Sequence, residues 1–126
     1  MPHILLIEDD ESLIATYKAK LEEEGFALSV EKDGEGGLKN ALTNHPDLVL
    51  LDIKMPKMDG ITVMKKLRED KWGMKVPIII LTNFEINDQN IPEVVANNPA
   101  YYLLKADTTL EETVDRVREV LETTSH

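Results

Sequence analysis

The sequence predicts an α/β fold, a three-layer, doubly wound (βα)5 arrangement built on a parallel sheet. Short apolar runs alternate with stretches whose apolar residues recur at helical spacing, and this pattern repeats five times along the chain. The connections are short, which calls for right-handed crossovers with helices on both faces. One run, Pro77-Ile-Ile-Ile-Leu81, is β-branched and apolar on both sides, as strands covered on both faces are.

The elements follow in order. His3 to Ile7 is an apolar run ended by acids, so a central strand. From Asp10, Leu13, Ile14, Tyr17 and Leu21 recur at helical spacing until Gly25 stops the helix. Phe26 to Glu31 alternates Phe26, Leu28 and Val30 and reads as a strand near an edge. Asp33-Gly34 reads as a turn, and Leu38, Ala41 and Leu42 give a short helix ending before Pro46. Leu48 to Asp52 is the second central strand, Met55-Pro56 turns the chain, and Asp59-Gly60 starts the next helix. Ile61, Met64 and Leu67 are the inward stripe of that helix. The stretch from Asn83 to Asn98 carries the weakest pattern. Pro92 sits near a helix start, and Val94, Val95 and Ala96 offer a small apolar face. Tyr101 to Leu104 is the fifth strand. Thr109 with Glu112 resembles a capping box, and Leu110, Val114, Val117 and Leu121 then run at 3.6-residue spacing.

The whole chain sets the outer bounds. Its 126 residues suit a single domain, 1–126, with 42% hydrophobic and 30% charged residues. No apolar run approaches the roughly 18 residues that span a bilayer, and the N-terminus is not a signal peptide. There is no cysteine, so disulfides and thiolate metal sites are excluded and a reducing compartment, the cytoplasm, is expected. With 14 basic against 24 acidic residues the net charge is −10, which argues against direct nucleic-acid binding.

In such a fold, ligands bind outside the carboxyl ends of the strands. Glu8-Asp9-Asp10 follows the first run, Asp52 the third, Thr82 the fourth and Lys105 the fifth. Glu8, Asp9 and Asp52 would form a carboxylate cluster whose mutual repulsion raises their pKa values. A hard divalent cation resolves that repulsion, and Mg2+ favours one or two carboxylates with waters and phosphate oxygens. One carboxylate could then serve as a nucleophile toward phosphorus. Lys105 would supply a fixed cation and Thr82 a hydrogen bond to phosphoryl oxygens. Each residue alone has a plainer reading. Asp10 and Asp59 suit helix N-caps, Thr82 a strand end, Lys105 a solvated surface, and Asp9 a cap. His3, His45 and His126 lack metal-ligand spacing, and Trp72 and the methionines read as filler.

Taken together, these residues make the chain resemble, from end to end, the receiver domain of two-component response regulators. The matching residues are Glu8-Asp9 after Ile-Leu-Leu-Ile, Asp52 followed by Ile-Lys-Met-Pro-Lys-Met-Asp-Gly, Thr82 after Ile-Ile-Ile-Leu, and Lys105 after Tyr-Tyr-Leu-Leu. The resemblance implies a flavodoxin-like strand order, 2-1-3-4-5, and phosphorylation of Asp52 by a histidine kinase. It implies that Asp9, Asp52 and the Lys54 carbonyl hold Mg2+, with Glu8 acting through bound water. Thr82 and Lys105 would contact the phosphoryl group, and Tyr102 would be the switch aromatic that turns inward when Thr82 moves. Such a domain is a signalling element, not an enzyme, although it assists its own phosphorylation and dephosphorylation. Its implied partners are a sensor histidine kinase or phosphotransfer protein, a downstream output protein or domain, and a second copy as a homodimer, with no nucleic acid or membrane bound directly.

Three departures from the family pattern stand out. Asn83-Phe84 replaces the small residue usual after the Thr, so Phe84 and Lys54 are expected to set the lifetime of the aspartyl-phosphate. Lys105-Ala106 replaces Lys-Pro, and a cis bond before Ala costs about 2.5–4 kcal/mol, so a trans bond is expected. Asn97-Asn98-Pro99-Ala100 replaces a Gly-Ala segment before the fifth strand, on the family's output face. The chain reads either as a stand-alone regulator or as an excised receiver domain. The alternative reading is a receiver-like interaction module that acts without phosphorylation. A phosphatase would want a second acid where Lys54 stands, and a flavin site would want a phosphate-cradling loop where Glu8-Asp9-Asp10 stands.

Overall fold

Strand β1 (His3–Ile7) turns Leu5 and Ile7 to one face of a sheet and Ile4 and Leu6 to the other, and all four side chains are buried. That double burial is why the run is apolar throughout. The computed structural model describes residues 1–83 and 89–124. The other strands are β2 (Ala27–Glu31), β3 (Leu48–Leu51), β4 (Ile78–Thr82) and β5 (Tyr101–Leu104). All pair in parallel, in the order β2-β1-β3-β4-β5 that the resemblance implies.

The helices are α1 (Glu11–Glu23), α2 (Gly34–Asn44), α3 (Gly60–Arg68), α4 (Ile91–Ala96) and α5 (Leu110–Thr124). Helices α1 and α5 cover one face, where Ile14, Tyr17, Leu21, Val114, Val117 and Val120 meet Ile4, Leu6, Leu48, Leu50, Ile79 and Leu81. Helices α2, α3 and α4 cover the other, with Ala41, Ile61, Met64, Leu67 and Val94 against Leu5, Ile7, Val49, Leu51, Ile78 and Ile80. Each fully buried Leu or Ile contributes roughly 1.5–3 kcal/mol. The result is the three-layer architecture expected from the sequence.

Local signals explain the helix ends. Asp10 caps α1, accepting from the backbone N–H of Ser12 and Leu13 at 2.9 and 3.1 Å. Gly25, with φ of 96°, turns the chain out of that helix. Asp59 caps α3 through the N–H of Thr62. Thr109 and Glu112 form the reciprocal capping box before α5, each bond 3.0 Å long.

Three expectations change. Asp33-Gly34 is a helix start, not a turn: Asp33 accepts from Gly36 N–H at 2.7 Å and Gly34 opens α2. Asp-Gly carries both a turn signal and a capping signal, and here the cap prevails. On α2 the buried face is Gly34, Gly37 and Ala41, while Leu42 is exposed. On α4 only Val94 is buried; Val95 and Ala96 face outward, because a six-residue helix turns one residue squarely inward. The Lys105–Ala106 bond is trans, as expected. His45, in the left-handed region, stacks on Trp72 at 4.3 Å and ties the end of α2 to the segment after α3.

Candidate functional site

The carboxyl ends of β1, β3, β4 and β5 lie side by side, and they bring Glu8, Asp9, Asp52, Thr82 and Lys105 together. Asp52 directly follows β3, and its N–H donates to the Ile7 carbonyl at 3.0 Å. One carboxylate oxygen, Oδ1, accepts from Ile53 N–H at 2.8 Å, and the other, Oδ2, lies 3.3 Å from Lys105 Nζ. The side chain is nearly buried, with the residue 7% exposed. The turn that follows packs tightly against it: Gly60 N–H donates to the Ile53 carbonyl at 2.7 Å, and a Cβ on Gly60 would stand 2.1 Å from the Asp52 carbonyl oxygen.

Glu8 is buried. Its Oε1 lies 2.5 Å from Lys105 Nζ and its Oε2 accepts from Asp10 N–H at 3.1 Å. Its pKa is raised. Burial is the largest cause, the Lys105 and Asp10 hydrogen bonds oppose it, and the Asp52 charge adds to the rise. The sequence attributes that rise to repulsion among acids, whereas desolvation outweighs it. Burial alone would lower the Lys105 pKa, but the Glu8 hydrogen bond and the two carboxylate charges overcome it and raise it. Lys105 is therefore not the solvated lysine of the plainer reading.

Asp9 is exposed at the rim. Oxygen atoms of Glu8, Asp9 and Asp52 lie within 4.8 Å of one another. This is an all-oxygen, anionic donor set, the kind a hard divalent cation takes. The cluster fits a metal. Thr82, buried at the end of β4, lines a pocket of about 190 Å3 with Asp52, Lys54, Asn83 and Lys105. A larger cavity, about 740 Å3, lies at the opposite end of the sheet beside His45, Trp72 and Pro77, away from the acids. Tyr102, paired with Ile80 across β4 and β5, is half-buried against the α3 side of the core. Burial raises its pKa, and the Asp52 charge adds to this. Phe84 lies outside the described residues. Arg68, at the end of α3, was not singled out from the sequence, yet it donates to four backbone carbonyls.

The strand order and the acid-rich carboxyl edge define the class: a flavodoxin-like α/β domain with its polar cluster where the strand order reverses. A family model for the response regulator receiver domain matches residues 4–118. The chain belongs to that family and is a receiver domain of two-component response regulators. The alkaline phosphatase synthesis transcriptional regulatory protein PhoP of Bacillus subtilis is 43% identical over 79 residues, 63% of this chain and 32% of that protein. The DNA-binding dual master transcriptional regulator RpaA of Synechocystis is 33% identical over 124 residues, 98% of this chain and 51% of that protein. The chain thus spans about a third to a half of the length of these curated relatives. Among solved structures, the receiver domain of Francisella response regulator 1452 superposes with a TM-score of 0.87 at 30% identity, covering 99% of this chain and all (100%) of the other. The BeF3-activated N-terminal receiver domain of Klebsiella pneumoniae RstA gives 0.83 at 29% identity, covering 94% and 97%. Among the described residues, no helix is long and apolar enough to cross a membrane.

Proposed function

We propose that Asp52 is the phosphoacceptor of this receiver domain and that residues 1–126 act as one switch unit. The observation that carries this is the setting of Asp52: its Oδ2 faces the Lys105 ammonium at 3.3 Å, and its carboxylate lies beside the Thr82 pocket and within reach of two further acids. Oδ2, the oxygen turned toward the Lys105 ammonium, is the attacking oxygen, while Oδ1 accepts from the Ile53 amide.

In the reaction, Oδ2 attacks the phosphorus of a phosphohistidine on a sensor kinase or phosphotransfer protein. The P–N bond breaks, the imidazole leaves and takes a proton from solvent, and an acyl phosphate forms. Lys105 neutralises one phosphoryl oxygen and the Thr82 hydroxyl donates to another. Asp9, Asp52 and the Lys54 carbonyl would hold Mg2+, with Glu8 acting through bound water, and the ion would supply charge neutralisation for the acids and the phosphoryl oxygens. Hydrolysis returns Asp52 and inorganic phosphate, and Lys54 at the pocket rim bears on its rate.

The phosphoryl group adds roughly −1.5 to −2 charges at the sheet edge. Thr82 and Tyr102 lie on neighbouring strands, so that charge biases the α4-β5-α5 face between two arrangements. The partner of that face is an output protein or domain, or a second copy of the chain, and the setting is cytoplasmic. The rival, a module acting without phosphate, has no observation in its favour.

Borohydride reduction after phosphorylation converts an acyl phosphate to an alcohol. Peptide mass spectrometry should then find residue 52 as homoserine; conversion at Asp9 or Asp10 instead would refute the assignment.

A further inference from the structure

Arg68 closes α3 with a guanidinium that meets backbone carbonyls from two separate loops. Nη1 donates to Gly73 and Val76, both at 2.7 Å, in the α3–β4 connection. Nε donates to Asn97 at 2.8 Å and Nη2 to Asn98 at 3.1 Å, in the α4–β5 connection. All four acceptors are neutral, and burial lowers the Arg68 pKa, yet a guanidinium stays charged under all ordinary conditions.

The Asn97 and Asn98 carbonyls lie just past the end of α4, where helix carbonyls lack partners of their own. The N–H groups there are already used: Asn97 donates to Val94 at 3.2 Å and Asn98 to Val95 at 3.0 Å. The Asn97 amide side chain reaches back to the Glu93 carbonyl at 2.8 Å, and Asn98 adopts φ of 51°, a conformation Asn tolerates well. Ala100 N–H then donates to Ile78 at 2.7 Å and starts the β4–β5 pairing two residues before Tyr102. Of the six residues of α4, only Val94 is buried, while Ile91 and Val95 are 39% and 67% exposed. The helix has little apolar hold on the core and a firm polar hold at its C-terminal end.

We propose that Arg68 is a positioning residue for the switch: it pins the C-terminal end of α4 and the start of β5 to the α3–β4 connection. Displacement of α4 on phosphorylation is then confined to its N-terminal end, with Tyr102 kept in register. This rests on the receiver reading for its phosphorylation arm, while the anchoring itself needs no phosphate. A lysine cannot replace it, because one ammonium cannot reach acceptors spread over two loops as the planar fork does.

The test is residue-resolved amide exchange by NMR on wild type and Arg68→Lys, without phosphodonor and then with Mg2+ and beryllium fluoride. Without phosphodonor, exchange at Asn97, Asn98 and Ala100 should quicken about tenfold to a hundredfold in the variant, from one or two lost hydrogen bonds, while β1 and β3 amides stay unchanged. With beryllium fluoride, wild-type shift changes should be larger at residues 91–93 than at 97–100, and in the variant they should extend through 97–100. Unchanged exchange at 97–100 in the variant, or wild-type shifts as large at 97–100 as at 91–93, would overturn the proposal. If neither protein responds to beryllium fluoride, the receiver reading fails and the exchange comparison alone decides the anchor. If Arg68→Lys does not fold, the wild-type shift pattern decides it.

Discussion

Lys105 Nζ stands 2.5 Å from Glu8 Oε1, an ion pair that joins residues 97 apart in sequence at the carboxyl edge of the sheet, from the end of β1 to the end of β5. The same ammonium reaches Asp52 at 3.3 Å, so one cation holds two nearly buried carboxylates. Lys105→Met leaves both acids without that charge. Removing one member of a buried ion pair costs about 3–5 kcal/mol. Urea unfolding without metal should show a loss of that order, and added Mg2+ should recover part of it. An unchanged midpoint would mean the lysine does not hold the acids.

Glu8 gives the pH dependence. Its pKa is raised, chiefly by burial, so the folded chain keeps this proton to a higher pH than the unfolded chain. The stability it contributes is present at low pH and is lost as pH climbs from the ordinary glutamate range through the raised value. Glu8 ionises across the same window and adds a negative charge beside the metal site, so Mg2+ affinity rises there. Calorimetric titration with Mg2+ should show the trend in wild type and a flatter one in Glu8→Gln.

Asp9 and Asp10 are neighbours with separable roles. Asp10 caps α1, so Asp10→Ala should cost about 1 kcal/mol and leave Mg2+ affinity unchanged. Asp9 is exposed within the acid cluster, so Asp9→Ala should abolish Mg2+ binding and shift stability by no more than about 0.5 kcal/mol. Paired melting and Mg2+ titrations distinguish this from a shared role.

Gly60→Ala probes the wall behind the acceptor. Its Cβ would stand 2.1 Å from the Asp52 carbonyl oxygen and 2.8 Å from Ile53 Cα, both backbone atoms. Overpacking of this kind costs about 1–3 kcal/mol. Because Asp52 itself must shift, phosphorylation should slow by more than the fraction unfolded explains. A normal rate in the folded variant would show that the acceptor tolerates displacement.

The sheet was legible because its central strands are buried on both faces, which leaves continuous runs such as Leu48-Val-Leu-Leu51 in the sequence. The site was legible for the same reason: each run ends in a polar residue, and parallel pairing brings those ends together. Other features depend on depth and direction, which periodicity does not carry. Desolvation of Glu8 outweighs repulsion because the residue is 2% exposed, and Val95 faces solvent although its neighbour Val94 does not. A basic residue in the last turn of α3 was visible in the sequence, but the four carbonyls that Arg68 meets are brought there by the folded chain.

The most direct test is intact mass after incubation with acetyl phosphate and Mg2+, beside Asp52→Asn. One phosphoryl adduct on the wild type, absent from the variant and lost when Mg2+ is chelated beforehand, is the predicted result. An adduct that persists on Asp52→Asn, or none on wild type that demonstrably binds Mg2+, would contradict it.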